Sequence, residues 1–375
     1  MALAFDAELR DLLALSLISG IGPRTMMALL ERFGSASDVL KSTFEELCQV
    51  PDLSHKQAET IYRALNTVDP EPELRRLEAN GAHIIARTNQ AYPRSLLSIA
   101  NPPPLLYVRG TILPTDDHSV AIVGSRNCTS YGKRMAENLA ATIAGAGYTI
   151  VSGMALGIDG AAHLGTVRSG HRTIAVMPGG LASIYPPEHQ ELALDIEKCG
   201  ALVSEAPMTA MPRRRLFHAR NRLISGLSQA VVVIEANEKS GALITARHAV
   251  EQGRELFVLP ANVDNICSAG SLSLLRQGAR LIRHADDLLQ DLALIDPLPH
   301  PSKVNQKEAT TQFPEKPRDL EAIPSKIWDL LCEPKHIDDI ARQLQIAIAI
   351  CSQELFGMEL KKQVKRLPGN MYERW

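Results

Sequence analysis

Val120-Ala121-Ile122-Val123-Gly124-Ser125-Arg126, then Thr129-Ser130-Tyr131-Gly132 and a helical pattern from Lys133, is the stretch that decides the fold. The unbroken apolar run predicts a strand buried on both faces, and the small residues after it turn the chain into a helix. Such a turn leaves backbone N–H groups facing outward at the positive end of a helix dipole, a cradle for anions. Arg126 adds a planar fork suited to phosphate oxygens, so the motif predicts a phosphate-bearing ligand; a solvated Arg on an ordinary strand-to-helix turn is the alternative.

The same pattern recurs along the middle of the chain. Continuously apolar runs at 83–86, 120–123, 149–152, 173–177, 202–204, 231–234 and 256–259 alternate with helical stretches, which predicts a Rossmann-like, doubly wound, mostly parallel α/β sheet over residues 73–292. The first strand ends in Gly-Ser-Arg and lacks the G-x-G-x-x-G of a dinucleotide site, so no cofactor is expected. Residues 1–72 read as a helical domain in which two helices meet at Gly20-Ile21-Gly22-Pro23. That turn resembles a helix-hairpin-helix (SAM-like), whose hairpin amides grip a DNA phosphate, although a similar turn also joins helices that bind nothing. Residues 293–320 are proline-rich and predict a linker. In 321–375, helical patterns at 327–331, 337–344 and 352–360 precede a basic stretch at 361–366 and a terminal hairpin, the plan of a winged helix.

Composition narrows the function. A chain of 375 residues has room for two or three domains, and its net charge of −2 excludes a protein that coats nucleic acid through its overall field. Any nucleic-acid contact must be a local basic patch. The N-terminal apolar stretch is interrupted by Asp6, Glu8, Arg10 and Asp11, so neither a signal peptide nor a membrane span is expected. Six cysteines without a C-x-x-C pair predict reduced thiols in a cytoplasmic protein, and no metal site.

Candidate site residues follow the predicted strands, where doubly wound sheets bind ligands. Ser152-Gly153 opens a small-residue run to His163 in which Asp159 and His163 share a helix face; with no third ligand nearby they read as structural. The densest basic cluster is Arg213-Arg214-Arg215-Leu216-Phe217-His218-Ala219-Arg220-Asn221-Arg222, five Arg in ten residues, a field that reads phosphates without reading sequence. Ser240-Gly241 opens another helix. Pro178-Gly179-Gly180 and Glu235 would also suit an N-glycosidic hydrolase acting on a nucleotide or nucleoside, but no nucleophile-base arrangement or carboxylate pair assembles around them.

Eight motifs taken in order, V-A-I-V-G-S-R-x-x-T-x-Y-G (120–132), V-S-G-M-A-L-G-I-D-G-A-A-H (151–163), T-I-A-V-M-P-G-G-L (173–181), Y-P-P-E (185–188), S-E-A-P (204–207), R-N-R-L-I-S-G-L-S (220–228), V-V-V-I-E-A-N-E-K-S-G-A-L-I-T-A (231–246) and A-x-E-Q-G-R (249–254), resemble the DNA-processing protein A (DprA/Smf) family. The resemblance implies a non-catalytic, dimeric protein that binds single-stranded DNA in a cationic pocket and loads a RecA-type recombinase during natural transformation. It implies DNA contacts from Gly124, Ser125, Arg126, Ser152, Gly153, Arg220, Asn221, Arg222, Ser240 and Gly241, to which the basic cluster adds Arg213 and Arg215. Departures stand at His218, where the family usually has Pro, at Ala261 for Gly, at Leu272 for Asn and at His189 for Asn. Ala261 would strain a turn that needed positive φ. With aromatics at only 4% of the chain, a backbone-gripping mode is expected, with Tyr131, Tyr185 and Phe217 as the few stacking candidates. A protein-contacting adaptor role for the two flanking domains is the remaining alternative.

Overall fold

The computed structural model of the chain describes residues 6–295, 322–331, 334–367 and 369–374. Described residues up to 295 belong to one compact unit and those from 322 onward to a second.

In the larger unit the apolar runs become strands β1 (Ala82–Ala86), β2 (Leu105–Gly110), β3 (Ser119–Gly124), β4 (Thr149–Ser152), β5 (Thr173–Val176), β6 (Ala201–Ser204), β7 (Ala230–Ile234), β8 (Glu255–Leu259) and β9 (Arg280–Leu281). They form one sheet in the order β1-β2-β6-β5-β4-β3-β7-β8-β9, parallel from β6 through β9 and antiparallel at β2. All seven predicted strands are present. The sequence reading omits β2, which follows the breaker run Pro102-Pro103-Pro104, and β9, a two-residue exposed edge.

Both faces of the parallel strands are covered, which is why these runs do not alternate with polar residues. Helix Ser130–Gly145 packs Leu139 and Ile143 on one face with Ile122 and Val232. Helices Arg214–Leu227 and Ala242–Glu251 pack Leu223, Ile224 and Ala246 on the other, against Val123 and Val233. β3 pairs with β4 on one side and β7 on the other, so the winding direction reverses between β3 and β7. The carboxyl ends of these two strands therefore open a crevice that no helix crosses.

The N-terminal helices carry two hairpins. Helices Ala7–Leu17 and Pro23–Phe33 flank the Gly20-Gly22 turn, and helices Phe44–Cys48 and His55–Leu65 flank a second turn in which Asp52 takes a φ of 64°. Arg24 joins the turns through an ion pair to Asp52 at 2.6 Å. The second hairpin escaped the sequence reading because Val50-Pro51-Asp52-Leu53 lacks the glycines of the first. These helices share a hydrophobic core with the antiparallel end of the sheet, Leu13, Leu29 and Leu77 packing with Ile84 and Tyr107. Buried Glu73 fastens that junction by accepting the Met208 N–H at 2.6 Å.

The smaller unit is a winged helix. Helices Ala322–Leu330, Ile337–Leu344 and Ile348–Leu360 support a three-stranded antiparallel sheet of β10 (Lys335–His336), β11 (Val364–Leu367) and β12 (Met371–Arg374) in the order β10-β12-β11. Trp328, Ile340 and Leu355 form its core, and Arg374 stacks over the Trp328 ring at 5.1 Å. The predicted linker lies outside the described residues, apart from its first three positions, which end helix Ala285–Ile295. Among the described residues no helix is long and apolar enough to cross a membrane.

His163 gives the fold a pH signature. Burial pushes its imidazole down to about 3, while Nδ1 pairs with Thr173 Oγ1 at 2.8 Å. Between about 6.5 and about 3 the unfolded chain binds a proton there that the folded chain refuses, so stability falls as pH drops through this window and is intact above it. Denaturant melts across pH are expected to show His163→Asn flattening that dependence by up to one proton, about 1.4 kcal/mol per pH unit. An unchanged slope would place the titration elsewhere.

Candidate nucleic-acid interface

The crevice at the carboxyl ends of β3 and β7 is a cleft of about 590 Å³. Three segments build it: the 124–127 turn after β3, the first turns of helix Arg214–Leu227, and the 237–245 segment that follows β7 and opens helix Ala242–Glu251. Cations from each segment converge, namely Arg126, Arg214, Arg220 and Lys239, against a single carboxylate, Asp159. Two helix N-termini add their dipoles, which favours an anion in the cleft.

Arg220 is the buried floor of this site. It is 4% exposed and donates from Nη1 to Gly153 O at 2.5 Å and also to Val176 O. Burial lowers its guanidinium to about 10, opposed by Asp159, so it is a cation at neutral pH. Burial raises the Asp159 carboxyl, with Arg220 and the amides of Ala155 and Gly124 opposing. Asn221 donates to Gly241 O at 3.1 Å and so ties the helix to the 240–241 turn. Arg126 lies exposed at the rim with its guanidinium 4.9 Å from the Phe217 ring centre, and Phe217 meets Tyr185 edge-on at 5.7 Å. Tyr131 lies with Arg134 instead and does not line the cleft.

Seven of the twelve expected residues line the cleft: Gly124, Ser125, Arg126, Arg220, Asn221, Ser240 and Gly241. The other five lie elsewhere. Ser152 is fully buried and donates to Ile122 O at 2.6 Å. Gly153 makes room for protein: a β-carbon there would sit 2.4 Å from the Arg220 guanidinium. Arg222 points away, into an ion pair with Glu205 and a bond to Asn101 O at 2.9 Å. Arg213 and Arg215 are exposed but flank the cleft, and Arg214 between them is the one that lines it. Arg213 is the extended residue before the helix, and Arg215 is turned about 100° from Arg214 around it, so the three point in different directions. Asn127, His218, Asn237 and Lys239 also line the cleft and were not singled out as contacts; each sits beside a residue that was, or in the same small-residue turn.

The anion cradle differs from its sequence reading in one physical respect. Helix Ser130–Gly145 begins at Ser130, three residues earlier than the pattern from Lys133, and a carboxylate of the protein occupies its N-terminus. Glu235 accepts the Thr129 N–H at 2.7 Å and the Thr129 hydroxyl at 2.5 Å. The Glu235 side chain is buried, is absent from the cleft lining and holds a backbone φ of 46°. It is a brace for the turn rather than a group facing the crevice. Gly124 is required for packing, since a β-carbon would sit 1.9 Å from Ile234 O.

Two of the departures from the family pattern, Ala261 and His189, are accommodated locally. Ala261 has no positive φ, so the strain expected there is absent. His189 bonds Met154 O at 2.9 Å and lies over Gly160. His163 is committed to Thr173 and Asp159 to Arg220 and two amides, and no cluster of three potential metal ligands occurs among the described residues.

Fold and cleft together define a Rossmann-like α/β protein with a cationic crevice at its switch point, flanked by a helix-hairpin-helix tandem and a winged helix. The family model for DNA recombination-mediator protein A matches residues 83–293, that for a SAM-like helix-hairpin-helix tandem residues 10–67, and that for the DprA winged helix domain residues 311–370. Protein Smf of Synechocystis sp. is 34% identical over 96% of this chain and 98% of its own length. DNA processing protein DprA of Bacillus subtilis is 41% identical over 56% of this chain and 72% of its own. The chain belongs to the DNA recombination-mediator protein A (DprA/Smf) family. Among solved structures, DNA processing protein A from Streptococcus pneumoniae superposes with a TM-score of 0.67 at 29% identity, covering 77% of this chain and 99% of that one. The protein from Helicobacter pylori, whose structure concerns its single-stranded DNA binding mode, superposes with a TM-score of 0.52 at 32% identity, covering 57% of this chain and 96% of that one.

Proposed function

We propose that this protein is a non-catalytic, cytoplasmic recombination mediator that grips the backbone of single-stranded DNA in the β3–β7 cleft and, as a homodimer, loads a RecA-type recombinase during natural transformation. The observation that carries the proposal is the convergence of Arg126, Arg214 and Lys239 above the buried Arg220 at the helix N-termini. The single-stranded DNA binding of the Helicobacter pylori relative supports the same reading. Arg126 covers the Phe217 face, so phosphate contacts outweigh base stacking and little sequence preference follows. The hydrolase alternative is disfavoured because Glu235, its expected carboxylate, is spent on Thr129.

Fluorescence anisotropy of a labelled oligothymidine across a salt series, with matching duplex as competitor, tests it. Three phosphate-facing cations at about 0.7 each give an expected slope of log K against log salt of about −2. Absence of binding at low salt would remove the DNA reading. Recombinase loading is tested separately, by filament assembly on strands already covered by a single-strand-binding protein, with and without this chain.

A further inference from the structure

The turn that carries Arg126 continues into Cys128, and a second cysteine lies against it. Cys267, in the short 3-10 helix Ile266–Ser268 after β8, donates its thiol to Asn127 O at 3.5 Å. Asn127 O belongs to the peptide that leads into Cys128, so standard peptide dimensions put the Cys267 sulfur within about 6 Å of the Cys128 Cα. Both thiols are free and partly exposed. Cys128 packs partly beneath helix Ser130–Gly145, where burial pushes its thiol up and nearby Cys267 adds slightly to the rise.

The loop that brings Cys267 here is loosely held. Its backbone bonds close on itself, Asn265 N–H to Asn262 O at 3.1 Å and Ser268 N–H to Asn265 O at 2.9 Å. Val263 and Ile266 within it are 88% and 83% exposed. A disulfide needs a Cα separation of about 4.4–6.8 Å, so bridging takes rotation of the Cys128 side chain together with a shift of this loop and of the turn that carries Cys128.

We propose that Cys128 and Cys267 form a reversible disulfide, a redox modification site that fastens the Arg126 turn of the cleft to the loop after β8. The oxidant is a peroxide. The Cys267 sulfur, the one on the exposed loop, attacks a peroxide oxygen; an S–O bond forms, the O–O bond breaks, and hydroxide leaves as water with the thiol proton. The Cys128 sulfur then attacks the sulfenic sulfur; the S–S bond forms, the S–O bond breaks, and the second oxygen leaves as water with the Cys128 proton. Two thiols lose two electrons and two protons, and one peroxide becomes two waters. A thiol reductant reverses the bond, as suits a sensing pair in a reducing compartment. Closure draws Cys128 out of its packing and carries the adjoining Asn127 and Arg126, both lining the cleft, with it.

The full-length chain is treated with stoichiometric hydrogen peroxide, digested without reduction and analysed by mass spectrometry. A cross-linked peptide pair holding residues 128 and 267, abolished by dithiothreitol and absent from Cys128→Ser and from Cys267→Ser, is expected. Oxidised cysteines without that pair would overturn the site. The disulfide is read by mass whatever the cleft binds, whereas its effect on affinity rests on the single-stranded DNA reading. Oxidised protein is expected to bind the labelled oligothymidine several-fold more weakly than reduced protein, with dithiothreitol restoring affinity. Equal affinity in a fully cross-linked sample that binds DNA when reduced would overturn the coupling to the cleft. Cys267→Ser serves as the control that binds DNA normally and ignores peroxide.

Discussion

Arg220→Ala is expected to destabilise the larger unit by about 3–5 kcal/mol, read as a fall in the midpoint of its denaturant transition, because removing one member of a buried charge pair strands the other. The Arg220 guanidinium answers Asp159 and the carbonyls of Gly153 and Val176, from strand ends on one side of the switch point. Without it those acceptors are left dry, and the first turns of helix Arg214–Leu227 lose their tie to the sheet. Arg220→Lys is expected to recover only part of the loss, since a point charge cannot reproduce the planar fork. Arg220→Met combined with Asp159→Asn removes both charges and is expected to be more stable than Arg220→Met alone, a coupling that a double-mutant cycle measures. Stability within 1 kcal/mol of the parent for Arg220→Ala would show the floor of the cleft to be wet and the pair unimportant.

Arg126→Ala is expected to weaken oligothymidine binding about ten- to a hundredfold at low salt, the loss of about 1.5–3 kcal/mol from a charge-assisted bond to phosphate, and to flatten the salt slope by about 0.7. Folding stability is expected to change little, because the guanidinium is exposed and its contact is the Phe217 face. Arg222→Ala provides the contrast. From sequence, both arginines belong to the phosphate-reading set, yet Arg222 is paired with Glu205, whose carboxyl is pushed up by burial and held down by Arg222. Its removal is expected to lower the melting temperature and to leave the salt slope as it was. A slope that flattened equally in both variants would mean that Arg222 swings into the cleft, contrary to its observed pairing.

Much of the fold was legible because strands buried on both faces announce themselves. Val120-Ala121-Ile122-Val123 and Val231-Val232-Val233-Ile234 can be little else, and residues following such strands sit at the ligand-binding end by topology alone. The Leu105–Gly110 strand was overlooked because three prolines precede it, and the second N-terminal hairpin because Asp52 performs with a positive φ what glycine commonly does. The site was legible to the level of segments. Side-chain direction within a segment was not: Arg213, Arg214 and Arg215 are equivalent in composition, and only helix phase selects Arg214.

The amino-acid sequence by itself determined the chain's mostly parallel sheet, its family and the segments from which a cationic cleft is made, since these depend on hydrophobic period and on residue types at fixed spacing. The tertiary structure alone decided which charges face the cleft. Arg222 is neutralised by Glu205, Arg220 forms the buried floor with Asp159, and Glu235 takes the helix N-terminus at Thr129 that the first motif offered to a phosphate. The partners of Arg222 and Glu235 lie 17 and 106 residues away along the chain. Charge pairing depends on proximity in space, and folding brings distant residues together in ways that local pattern does not encode.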